Sequence, residues 1–182
     1  MTNRICRREE QQVSGGEAMN QNNIMIPQLE GHTCFACGTA NPIGLRLKFY
    51  RSGDAICTDI KLDKYYEGWT SMAHGGIITT LLDETMSWTI IYFKRAFFVT
   101  RKMEVKFIKP ILVEKPLTVR GRLSDSPDDL RIKARAEILD NEGNVLARST
   151  GEFVALQEEK LSSVPEDMKK EMSALFEKFP PV

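Results

Sequence analysis

The residues best suited to chemistry stand close together in HGGIITTLLDETMSW, the run from His74 to Trp88. Read as a helix, the run opens on Gly75 and Gly76. Backbone N–H groups in a first helical turn have no intrahelical partner and sit at the positive end of the helix dipole. With no side chains in the way, a ligand oxygen can approach them closely. At the middle stand two adjacent carboxylates, Asp83 and Glu84, in an element that is otherwise largely apolar. A carboxylate in such a place is disfavoured unless it is paired or functional, and burial raises its pKa.

Residues three and four apart share a helix face, so Thr79, Thr80, Asp83 and Ser87 form one polar stripe. Glu84 is turned by about 100° and falls beside Thr80 and Trp88. Only one of the two acids therefore points along the stripe. Spacing alone is equally met by acids that reach solvent or pair with Arg101, Lys102 or Lys106, and by glycines that merely make a tight entry turn. A carbonyl oxygen held at the helix start lies about two turns, roughly 10 Å, from Asp83 of the same chain. That separation favours a composite site in which a second subunit supplies the acid.

Other reactive groups carry weaker patterns. Cys34-x-x-Cys37 has His32 nearby, and Cys57 falls on an expected strand. A lone CxxC without a second matched pair is a poor metal signal, so no metal is expected and the thiols are read as buried or turn-forming. There is no G-x-S-x-G, so the nucleophile elbow of a Ser-His-Asp hydrolase is missing, and with His32 and His74 the only imidazoles no His-rich catalysis is expected. Arg120, Arg122, Arg131, Lys133 and Arg135 alternate along neighbouring strands, where they either meet phosphates or line a solvated face.

These groups must be positioned by a chain of 182 residues, 42% of them apolar, enough for one domain with a real core. Lys+Arg and Asp+Glu balance at 25 each, so no net field points to nucleic acid or an anionic membrane. The N-terminus lacks the apolar stretch of a signal peptide, and a reducing, cytoplasmic setting is expected. Ile77 to Phe93 is apolar enough to suggest a membrane span, but Asp83 and Glu84 would fall near the bilayer centre. It is read as a buried helix. Residues 1–25 are polar and aperiodic, expected as a disordered arm, with folded structure from near Gly31. Strand alternation appears at Leu45–Tyr50 and Ala55–Leu62 before the helix. It returns at Arg101–Ile108, Leu117–Leu123, Leu130–Leu139 and Val145–Leu156 after it. Pro165 to Phe179 reads as a short amphipathic helix. The economical arrangement is α+β, an antiparallel sheet of about six strands wrapped around one long central helix. The domain is expected over 26–160, with a helical tail over 161–182.

At this point the chain resembles a known family. HGG followed by IITTLLDE looks like the central-helix motif of hotdog-fold acyl-CoA thioesterases, the PaaI-like group. The opening HTCFACGTANPIGLRLKF is similar to the Cys-x-x-Cys-Gly…Asn-Pro-x-Gly-Leu start of many bacterial members, and the resemblance runs over about residues 31–156. It implies hydrolysis of acyl-CoA thioesters. Gly75 N–H would polarise the carbonyl, Asp83 would act as nucleophile or general base, and His74 would shape the loop near the thioester. Gly76, Ser87 and Thr100 would be substrate-site positions, with Thr100 orienting water. The acyl tail would be lined by Trp69, Met72, Met86 and Phe98. No metal or cofactor is implied. Self-association as a dimer or dimer of dimers is implied, without membrane insertion. The chain departs from the pattern before HGG, where Glu67-Gly68-Trp69-Thr70-Ser71 replaces the Asn or Gln of some relatives. That departure keeps a second reading in view, a non-catalytic acyl-CoA binding or sensing module on the same fold.

Overall fold

The computed structural model describes residues 23–180 apart from 127, 129, 158–160 and 163. Most of the polar arm read at 1–25 lies outside the described residues. Among the described residues, regular structure is already present ahead of Gly31, in the short strand β1 (Ile24–Met25). There follow β2 (Tyr50–Ser52), β3 (Ala55–Lys61), a small hairpin of β4 (Glu67–Trp69) and β5 (Met72–Ala73), and the helix α1 (Gly75–Lys94). After it come β6 (Phe98–Phe107), β7 (Pro116–Ser124), β8 (Arg131–Leu139), β9 (Val145–Ala155) and the helix α2 (Glu166–Glu177).

The main sheet has 7 strands in the order β1-β2-β3-β7-β8-β9-β6, every neighbouring pair antiparallel. The one strand of this sheet beyond the six expected is the short β1. A tight turn joins β8 to β9, where Gly143 N–H donates to Asp140 O at 3.0 Å, as Asp, Asn and Gly between apolar runs favour. Along β7, buried Leu117 and Val119 alternate with half-buried Thr118 and Arg120, so one face of the pleat meets α1 and the other stays polar. α1 packs across β3, β7, β8 and β9. It lies so close to β7 that a Cβ on Gly121 would sit 2.4 Å from Thr89 Oγ1 and 2.9 Å from the Thr85 carbonyl oxygen.

The far side of α1 is covered as well, which is why the helix is apolar nearly all round. The segment before β2 supplies Ile26, Ala36, Leu47 and Phe49, and Phe49 stacks on Trp88 with ring centroids 5.0 Å apart. Residues 45–49 do not form the ladder strand expected of them. Leu47 and Phe49 bury alternately, but Leu45 N–H and Leu47 N–H donate to Phe35 O (2.8 Å) and Ala36 O (3.0 Å) in the Cys34–Cys37 loop instead. Period-two burial was legible; the partner was not. α2 forms where the amphipathic tail was expected. It buries Leu175 against the core, with Phe179 just beyond it 5.2 Å from the Tyr92 ring.

Candidate functional site

The start of α1 is built by its own first residues. His74 caps the helix: its Nδ1 accepts from Gly76 N–H at 2.9 Å, which places the ring proton on Nε2. The His74 backbone is itself tied, its N–H donating to Tyr66 O at 2.8 Å. A Cβ on Gly76 would stand 3.0 Å from His74 Nδ1, so the cap and the second glycine require each other. Gly75 differs. Its N–H has no acceptor among the described residues, and a Cβ there would meet only the Phe107 ring at 3.7 Å. The fold has room for a side chain at 75 yet carries none, which leaves the donor open to approach. Of the two N–H groups that the sequence offered to a ligand, Gly76's is spent on His74.

Asp83 is half-buried on α1 and faces β6. Thr100 Oγ1 donates to its Oδ1 at 3.1 Å. The pairing of β6 with β9 shifts register between Thr100 and Lys102, a bulge of the kind that re-aims a side chain. Burial raises the Asp83 carboxyl above the ordinary aspartate value, and the Thr100 bond works against that rise. No ion pair among the described residues includes Asp83 or Glu84, so Arg101, Lys102 and Lys106 do not neutralise them. The threonines of the polar stripe serve the helix itself: Thr79 Oγ1 donates to Gly75 O and Thr80 Oγ1 to Gly76 O, each at 2.9 Å. Ser87 is half-buried one turn beyond Asp83.

Glu84 points elsewhere. Trp88 Nε1 donates to its Oε1 at 3.0 Å, and Cys34 Sγ lies 4.0 Å from the same oxygen. Burial pushes the Glu84 carboxyl up to about 7. Cys34 is held down at about 5 by its hydrogen bond with Cys37, helped by backbone N–H groups of the loop; that same bond and burial push Cys37 up. A cavity of about 140 Å³ opens beside them, walled by His32, Trp88, Ile91, Met172 and Leu175 among others. His32 Nε2 is 2.8 Å from Glu171 Oε2 on α2.

The remaining expectations divide. Glu67 accepts from Ser71 N–H at 2.9 Å, so the loop ahead of HGG uses its carboxylate to close the β4–β5 turn. Trp69 is 78% exposed while Met86 is fully buried beside Gly151, so the expected lining of Trp69, Met72, Met86 and Phe98 is not one tunnel within the chain. Arg120 pairs with Glu137 at 2.7 Å and Arg122 with Asp54 at 3.0 Å. Arg131 and Lys133 share a shallow depression with Arg101 and Glu152. Glu84 is the residue that sequence reasoning undervalued: its contact with Cys34 spans 50 positions, and only the (i, i+4) pairing with Trp88 was visible along the chain.

The profile of the thioesterase superfamily matches residues 71–147. Among solved structures, a thioesterase superfamily protein aligns at 22% identity with a TM-score of 0.59, covering 63% of this chain and 56% of its own. This chain thus spans little more than half the length of that relative. A hypothetical thioesterase protein from Streptococcus pneumoniae, solved with coenzyme A, aligns at 19% identity and a TM-score of 0.52, over 56% of this chain and 81% of its own. Zebrafish thioesterase superfamily member 2 aligns at 15% identity and 0.57, over 66% and 87%. No curated protein matches. The hotdog fold and the likeness to the thioesterase superfamily are both borne out.

Proposed function

We propose that this chain, a hotdog-fold protein similar to the thioesterase superfamily, hydrolyses acyl-CoA thioesters to the free acid and CoA. The observation that carries the reading is Asp83, a half-buried carboxylate without an ion pair among the described residues, held by one hydroxyl from the bulge of β6. Gly75 N–H, without an acceptor among the described residues, would receive the thioester oxygen as it gains negative charge, a contribution of about 10²–10³-fold per donor. Asp83 would attack the carbonyl carbon or take a proton from the attacking water, with Thr100 fixing its orientation. His74 holds the first turn in place.

Gly75 and Asp83 stand about two turns apart on one helix, so the acid and the donor at one carbonyl come from two copies of the chain. β6 ends the sheet, is 10 residues long and exposes Val99 and Phe107. An open edge of that length is a template for pairing, and a dimer or dimer of dimers follows. No helix among the described residues is long and apolar enough to cross a membrane; a cytoplasmic enzyme is the reading adopted. The relative solved with coenzyme A supports CoA as the thiol component.

The test is thiol release from short, long and aromatic acyl-CoAs with wild type and Asp83→Asn in parallel. The substitution is expected to cut turnover by about 10²–10⁴-fold. Near-normal turnover in the variant removes Asp83 from the mechanism. If neither protein turns over any acyl-CoA, yet the compounds raise the melting temperature, the fold serves as a binding module.

A further inference from the structure

A second cluster of ligating atoms lies on the other side of α1, apart from the machinery proposed above. Cys34 Sγ, Cys37 Sγ and a carboxylate oxygen of Glu84 all stand within 4.8 Å of one another. We propose that these three side chains bind a thiophilic divalent metal ion of the zinc class, clamping the N-terminal loop onto α1 one residue beyond Asp83.

The donor set suits that ion, since two sulfurs with a carboxylate are borderline-soft ligands. The geometry suits it too. With Zn–S near 2.3 Å and Zn–O near 2.0 Å, a tetrahedral site sets a sulfur and an oxygen about 3.5 Å apart. Cys34 Sγ and Glu84 Oε1 are already 4.0 Å apart. The loop is shaped to turn both sulfurs one way: Gly38 N–H donates to Cys34 O and Ala40 N–H to His32 O, each at 3.0 Å. A Cβ on Gly38 would come within 2.5 Å of the Cys34 and His32 backbones, so only glycine closes this turn. Trp88 Nε1 fixes the Glu84 carboxylate at 3.0 Å, the outer hydrogen bond that metal ligands characteristically receive.

Glu84 is what separates this reading from a simple dithiol switch. A disulfide needs only two sulfurs, whereas here a half-buried carboxylate without an ion pair among the described residues faces them. A cation between the three groups offsets that charge. Three protein ligands leave one tetrahedral position, and the adjoining cavity, with His32 as the imidazole on its wall, has room to fill it.

The test uses the whole chain, purified reduced and stripped of metal, titrated with cobalt(II) and then zinc(II). One equivalent of cobalt is expected to give a thiolate charge-transfer absorption that zinc abolishes, with zinc also raising the melting temperature. Cys37→Ser should lose the absorption, and Glu84→Gln, which keeps the shape and the Trp88 bond but removes a ligating carboxylate, should weaken binding by at least the roughly 10-fold that losing even an outer-shell partner costs. No absorption in the wild type, or a Glu84→Gln titration that matches wild type, overturns the proposal. Should the cysteine variant fail to fold, the wild-type and Glu84→Gln titrations decide. Every readout is metal binding, so the outcome stands apart from whether the protein hydrolyses thioesters.

Discussion

The glycine pair divides its labour at the level of single atoms. Gly76 is needed because the His74 ring closes over it, whereas the fold tolerates more than glycine at 75. Gly75→Pro exploits that difference. Residue 75 is the first helical position, where proline is well accepted, and His74 has ψ of 136°, the extended geometry a following proline prefers. The substitution deletes one N–H and little else. It is expected to lower turnover by about 10²–10³-fold with a melting temperature close to wild type, while Gly75→Ala keeps the donor and most of the activity. Equal turnover in the proline variant and wild type, measured on the same acyl-CoA, assigns the carbonyl to some other donor.

At the scale of elements, two contacts set how firmly the site is held. The seat of α1 on β7 depends on Gly121, where an added methyl meets Thr89 Oγ1 at 2.4 Å and helix backbone at 2.9 Å. Gly121→Ala forces the helix outward and should cost about 1–3 kcal/mol in urea unfolding; an unchanged midpoint means that the helix shifts without strain. The turn between β8 and β9 depends on Asp140. Desolvation pushes its carboxyl up, but the Asn144 side chain, the N–H groups of Asn144 and Glu142, and nearby Lys109 together hold it below the usual range. A folded-state pKa below the unfolded one stabilises above the unfolded value, and that stabilisation is lost as pH falls through the folded value. The melting temperature of wild type should therefore exceed that of Asp140→Asn at neutral pH, and the gap should close in acid. A gap that persists unchanged into acid shows that charge is not what the turn uses.

For the molecule as a whole, the consequential feature is the exposed outer edge at β6, which carries Thr100 and so lies beside Asp83. If one copy supplies Gly75 and another Asp83, mixing Asp83→Asn with Gly75→Pro and allowing subunits to exchange should restore hydrolysis that neither variant has alone. Each mixed dimer then carries one intact site. Sedimentation should show a dimer or larger at working concentration. A monomer, or mixed variants that stay inactive after proven exchange, places both groups in one chain.

Much of this was open to reading along the chain because it is local. His74 capping Gly76 spans two positions, the α1 and strand periodicities repeat within each element, and the turn residues sit between them; such features depend on backbone sterics and alternating burial over a few residues. The acid at Asp83 belongs with them. The tertiary structure alone decided which surroundings each carboxylate meets. Thr100 reaches Asp83 across 17 positions and Cys34 reaches Glu84 across 50, while residues 45–49 bury alternately against a loop instead of a strand. Contacts at that range are chosen by which apolar faces close on one another, and no periodicity within an element records the choice.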